Sequence, residues 1–227
     1  MKNLQNRINA NLKHARNLRA QFVAGINARI AHQNQMIEVG DCKALSPEWA
    51  RALKWAETDA EGSARQIAAL GKAFDFAHVC DILPNTTGTD TFIATKVVEK
   101  VVKFIDAVFT QSPAHASDYT VQVIFNALKN GGELHLSDVY ASLSRRCIGS
   151  ESSNLATRGN YTKGTAGAQG SQVRELARVL RFAEVNKGKR ADVMRIKPER
   201  MVELCELFGV TSVEQEQEQE QGAEHAY

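Results

Sequence analysis

The chain has 227 residues, 43% of them hydrophobic and 24% charged, with a formal net charge of +2. These proportions suit a globular protein with one large domain or two small ones. No run of 18 apolar residues occurs and the N-terminus lacks the apolar core of a secretory signal, so neither a membrane-spanning helix nor export is expected.

The small net charge conceals a strong asymmetry. Residues 1–37 carry six Lys or Arg and no Asp or Glu, and residues 145–200 carry thirteen basic against five acidic side chains. The last fourteen residues, from Glu214, hold five Glu and no Lys or Arg. Averaging hides two basic regions and an acidic tail, and such basic charge either keeps an exposed edge soluble or meets something negative. Cys42, Cys80, Cys147 and Cys205 are far apart without a Cys-x-x-Cys pair, so they are expected as reduced thiols in a cytoplasmic protein of a bacterium or phage-infected host. His78 and Cys80 lack the second ligand pair that zinc needs, so no metal and no cofactor is expected.

In chain order, Leu4, Ile8, Leu12, Ala15, Phe22, Ile26, Ile30 and Ile37 recur every three or four residues and predict one helix over 2–38, ended by Gly40. Its apolar stripe is thin for its length, which calls for a partner: another copy of the chain or the helix from Pro47. In "SPEW", Ser46 is the expected N-cap and Pro47 the first residue of a second helix. Trp49, Leu53, Ala56, Ala60, Ala64, Ile67, Leu70 and Phe74 form its apolar face. A loop, "LPNTTGTD", precedes a third helix from Asp90 to about Phe109, chosen over a strand because Lys96, Glu99, Lys100, Lys103 and Asp106 fall at helical spacing. Residues 1–110 therefore form a helical assembly domain, and 111–118 a linker.

Beyond the linker, a helix over 119–130 ends at Gly131-Gly132 and a short strand "ELHL" follows. Ser137 caps a helix through Arg146. Residues 149–170 hold five glycines and predict a flexible insertion. Ser171 caps the helix "QVRELARVLRFAE", with Val173, Leu176, Ala177 and Leu180 inward. "RFAEVNKGKRADVMRI" contains two short strands around a tight turn, a β-hairpin. Pro198 opens a closing helix, and residues 211–227 are a low-complexity, disordered acidic tail.

Helix, short strand, helix, helix and hairpin, carried by "HLSDVYASLSRR", "SQVRELARVLRFAEVNKGKRADVMRI" and the "NKGKRAD" turn, resemble a winged helix-turn-helix domain over about residues 119–209. The expected fold is mainly α, a helical N-terminal domain followed by a winged helix over 119–210. The resemblance implies that the helix from Ser171 lies in a DNA major groove while the hairpin touches backbone or minor groove. Once the apolar residues turn inward, Gln172, Arg174, Arg178 and Arg181 are left for solvent, and Gln and Arg suit adenine and guanine edges. Lys187, Lys189 and Arg190 at the hairpin turn, with Arg195 on the return strand, lie where a phosphate backbone would pass. The long insertion departs from the family pattern, and its Arg158, Lys163 and Tyr161 suit an arm that orders on nucleic acid.

The functional expectation is a non-enzymatic, homo-oligomeric binder of double-stranded DNA, serving transcription regulation or phage DNA transactions. Its Asn/Gln-rich start and Glu-Gln tail resemble those of phage and mobile-element proteins. Two alternatives stand beside it: a binder of single-stranded DNA or RNA, and a structural or protein-interaction role for the winged fold. Catalysis is not expected, since no phosphate-binding loop, nucleophile elbow or H-E-x-x-H motif occurs and the six His are scattered.

Overall fold

The computed structural model describes residues 2–85, 95–110, 119–135, 162–186 and 192–210. Its helices are α1 (Lys2–Glu38), α2 (Pro47–Thr58), α3 (Ala60–Leu70), α4 (Phe76–Ile82), α5 (Thr95–Thr110), α6 (Tyr119–Lys129), α7 (Lys163–Leu180) and α8 (Pro198–Phe208). Its strands are β1 (Glu133–His135), β2 (Ala183–Asn186) and β3 (Val193–Ile196), in one antiparallel sheet of order β1-β3-β2. The architecture is mainly α with a small sheet. The linker at 111–118, the helix expected over 137–146 and the tail lie outside the described residues.

The first helix runs as its periodicity predicts, and Gly40 follows it in the left-handed region at φ +82°. The middle of its stripe, from Ala15 to Ile26, is buried within the same chain, chiefly by α3 and also by α2 and α4, while Leu4, Ile8, Leu12, Ile30 and Ile37 are partly buried. Phe22 is fully buried, its ring 5.8 Å from that of Trp55 and 5.4 Å from that of Phe76. At Gly25 an added Cβ would stand 2.9 Å from Leu83 Cδ2, so the small residue permits the close crossing of α1 over the end of α4. One turn on, buried Arg29 donates from Nε to the Leu83 carbonyl at 2.6 Å.

The single helix expected from Pro47 to Phe74 is instead two, α2 and α3, followed by a turn that leads into α4. Asp59 leaves the helical region (φ −130°, ψ 84°) and accepts from the Gly62 N–H at 2.8 Å, capping α3. A short Asp side chain does this better than it continues a helix. Ala60, placed on the apolar face by a continuous 3.6-residue period, is consequently exposed. Gly71 at φ +53° ends α3, and Asp75 caps α4 by accepting from the His78 N–H at 3.0 Å. Ser46 does precede α2, but its backbone N–H and hydroxyl are held by Gln33, not by the helix.

The valine-rich segment 95–110 is helical and buries Val97, Val98, Val101, Val102, Phe104, Ile105 and Val108. Its polar edge explains the choice over a strand: Glu99 binds Arg51 at 2.7 Å and Lys103 at 2.8 Å across and along the helices. Of the helix start expected at Asp90, residues 86–94 lie outside those described.

One apolar core runs through both halves of the chain. Phe74, on the turn after α3, packs edge-on against Phe104 of α5 at 5.1 Å and against Phe182 before β2 at 5.3 Å. Phe208 of α8 lies beyond Phe104 at 6.4 Å. The sheet contributes one face: Leu134, Met194 and Val185 are aligned across the strands, as are Ile196 and Ala183. We expect Phe74→Ala to cost about 3–5 kcal/mol. Urea midpoints followed by tryptophan fluorescence (Trp49 and Trp55, both among the N-terminal helices) and by circular dichroism should fall together. A fall in only one signal would mean that the two halves unfold apart.

Candidate nucleic-acid interface

The helix expected to start at Ser171 begins eight residues earlier. Thr162 is its N-cap, accepting from the Thr165 N–H at 3.4 Å, and Lys163 is its first residue. Ser171 lies inside the helix, its hydroxyl donating to the Gly167 carbonyl four residues back at 3.2 Å. A serine hydroxyl can accept from an N–H as a cap or donate to a carbonyl four residues back inside a helix, so it looks like a cap in sequence and need not be one. The part of the glycine-rich segment from 163 to 170 is thus helical. Arg158, Tyr161, Lys187, Lys189 and Arg190 lie outside the described residues, and of Lys163 only its place at the helix start is described.

The inward face of α7 is as expected, with Val173, Leu176, Ala177 and Leu180 buried. This face packs on α5, α4 and β2. Arg174, Arg178 and Arg181 recur every three or four residues and form one row along the other side. Gln172, two residues before Arg174, is half-buried and lies on the opposite flank of the helix from this row. Arg181 ends the helix in the left-handed region at φ +50°, so the row stops where β2 begins.

Each arginine of that row has an acidic partner. Arg174 pairs with Asp192 at the foot of the hairpin. Arg178 donates from Nε to Glu175 one turn back at 2.7 Å. Arg181 lies 3.5 Å from Asp75, the cap of α4. Arg195 stands apart, on the polar face of the sheet, where it is opposite both Glu133 and Glu184 and donates to Glu133 at 2.7 Å. That pairing holds the Glu133 carboxyl below its usual range. The structure brings three of the expected DNA-facing residues together on α7 and leaves Arg195 on another surface.

Exposed ion pairs contribute only about 0–1 kcal/mol, so a phosphate can replace the carboxylates at little cost. They nevertheless make the described row electrically balanced, since three arginines face three carboxylates. The turn sequence "NKGKRA" between β2 and β3 carries three further basic residues and no acidic one. Asp192 was legible directly after that turn and Glu175 by its spacing. Asp75, about a hundred residues upstream, was not.

Where α7 meets α4, His78 sits near Arg181 and Arg178. Burial lowers its pKa first and the Arg181 charge adds to this, while Asp75 and Asp81 oppose it. Above the ordinary imidazole value of about 6.5, both folded and unfolded chains hold a neutral His78. As the pH falls below it, the unfolded chain takes up the proton first and the folded state loses stability. His78→Gln should flatten the fall in melting temperature below about pH 6.5 and leave the curve above it unchanged; a parallel displacement at all pH values would refute this assignment.

Among the described residues, no helix is long and apolar enough to cross a membrane, and no group of three His, Cys, Asp or Glu is placed to hold a metal ion. Cys42, Cys80 and Cys205 are unpaired, and burial pushes the Cys80 thiol up to about 12. Comparison with known proteins finds no matching family model, no similar curated protein and no similar solved structure.

Proposed function

We propose that the C-terminal half is a winged helix that binds double-stranded DNA. The observation that carries this reading is the sheet order β1-β3-β2, with α7 leading directly into a hairpin whose turn contains Lys187, Lys189 and Arg190. In such a fold the helix before the hairpin presents its outer face to a groove, here Arg174 and Arg178, while Gln172 lies on the opposite flank of the helix. The turn presents lysines to the backbone. Attraction comes from the turn, because the arginines of α7 are already neutralised by Glu175, Asp192 and Asp75. The same neutralisation favours a second reading, in which the winged half docks on a protein and the turn lysines keep an exposed edge soluble.

Fluorescence anisotropy with a 20-base-pair duplex, a single strand and an RNA of equal length, over a salt series, separates the readings. Replacing Lys187, Lys189 and Arg190 together by Ala should weaken duplex binding and reduce the log–log salt slope by about 0.9 for each phosphate that is no longer neutralised. Asp192→Asn frees Arg174 and should tighten duplex binding by up to about fivefold, the worth of an exposed pair. Unchanged binding in the triple variant, or no preference of the full chain for duplex, would discard the DNA reading in favour of the second.

A further inference from the structure

A cleft of about 430 Å³ opens on the opposite end of α1 from its crossing with α4. Its walls come from α1 (Arg7, Asn11, His14), from the turn after α3 (Lys72, Asp75) and from α8 (Arg200, Glu203). Its floor is apolar, with Leu18, Ile67, Phe74 and Phe76 all buried. Arg7, Asn11 and His14 are spaced four and three residues apart and so form one row along α1.

The carboxylates at this cleft are committed. Glu203 accepts from the Lys72 N–H at 2.7 Å and stands 3.9 Å from Arg7 Nη1. Asp75 caps α4 and faces Arg181. What is left over is donors. Asn11, His14 and the Lys72 ammonium have no hydrogen bond or ion pair among the described residues. Arg200 donates from Nη1 to the Lys72 carbonyl, yet its buried Nε has no hydrogen-bond partner, and neither has the buried Nη1 of Arg7. Buried guanidinium N–H groups without acceptors are rare in native structures and point to a missing acceptor. At Gly71 a Cβ would lie 2.9 Å from both Arg7 Cδ and Glu203 Oε2, so the backbone there is shaped to let these side chains close over the turn.

We infer that this cleft binds a small organic anion, a carboxylate or phosphate carried on a flat apolar ring. The anionic group meets Lys72 and His14, with Arg7 and Arg200 behind them, and the ring lies on Leu18 and Phe76. The volume falls in the range of small-molecule sites, roughly 300–1,000 Å³. A ligand there touches α1, the turn before α4 and α8 together, so it stabilises the joint between the N-terminal helices and α8. The inference does not depend on the nucleic-acid reading.

The test is calorimetric titration and thermal melting of the full chain with adenosine 5′-monophosphate, benzoate and inorganic phosphate at constant ionic strength. At least one ring-bearing anion should bind saturably and raise the melting temperature, with inorganic phosphate at least about tenfold weaker for want of the apolar body. Lys72→Ala and His14→Ala remove exposed side chains without touching the core, and each should weaken that binding by about tenfold. Lys54→Ala, a control elsewhere on the surface, should not. The Lys187, Lys189, Arg190 triple variant should also bind the ring-bearing anion normally, which distinguishes this site from a nucleic-acid surface. The inference is overturned if neither ring-bearing anion binds, if inorganic phosphate binds as well as they do, or if the control or the triple variant loses as much affinity as Lys72→Ala.

Discussion

Phe74 is held between the rings of Phe104 and Phe182, and the positions of the N-terminal helices and the sheet follow from that contact. Aromatic rings of this size bury well over a hundred square ångströms each and prefer edge-to-face contacts, so the three cannot slide freely past one another. With Phe74 fixed, the next residue is fixed too. Asp75 donates its N–H to the Leu180 carbonyl at 2.9 Å, caps α4 and faces Arg181. The end of α7 is thereby tied to the start of α4. From Phe182 the tie continues, because its carbonyl accepts from the Lys197 N–H at 3.0 Å, between β3 and α8.

Charge is organised around this core in pairs. Arginines of α7 meet carboxylates from the hairpin, from α7 itself and from α4, while Arg7 of α1 meets Glu203 and Glu206 of α8. Such pairs add little to stability where they are exposed, but they fix the direction of long side chains. The paired surface of α7 is therefore ordered and nearly neutral, and the cleft beside Arg7 is where polar donors outnumber acceptors. The two proposed sites differ in kind. One relies on charge in a turn that can exchange partners, the other on donors that the fold leaves without any.

Much of this arrangement was legible in the residues. The stripe from Ile8 to Ile30, the inward set Val173, Leu176, Ala177 and Leu180, the glycines at 131 and 132, and the two strands around "NKGKRAD" all carry local periods or turn signals, and all appear in the structure where they were expected. Errors fell where two local signals compete. Asp59 could continue a helix or cap the next one, and Ser171 could cap a helix or lie within it. The choice depended on packing several residues away, which no local pattern contains.

The sequence by itself determined the mainly helical class, the hairpin and the uneven distribution of charge, because helical and strand periods and turn chemistry act over fewer than ten residues. Only the tertiary structure decided what covers α1, which carboxylate each arginine meets, and that Arg195 lies on a different face from α7. Those outcomes depend on residues brought together from distant parts of the chain: Asp75 with Arg181, Arg7 with Glu203, Phe74 with Phe182. Their pairing is set by the way the helices pack around a shared core, and a period along the chain has no term for that.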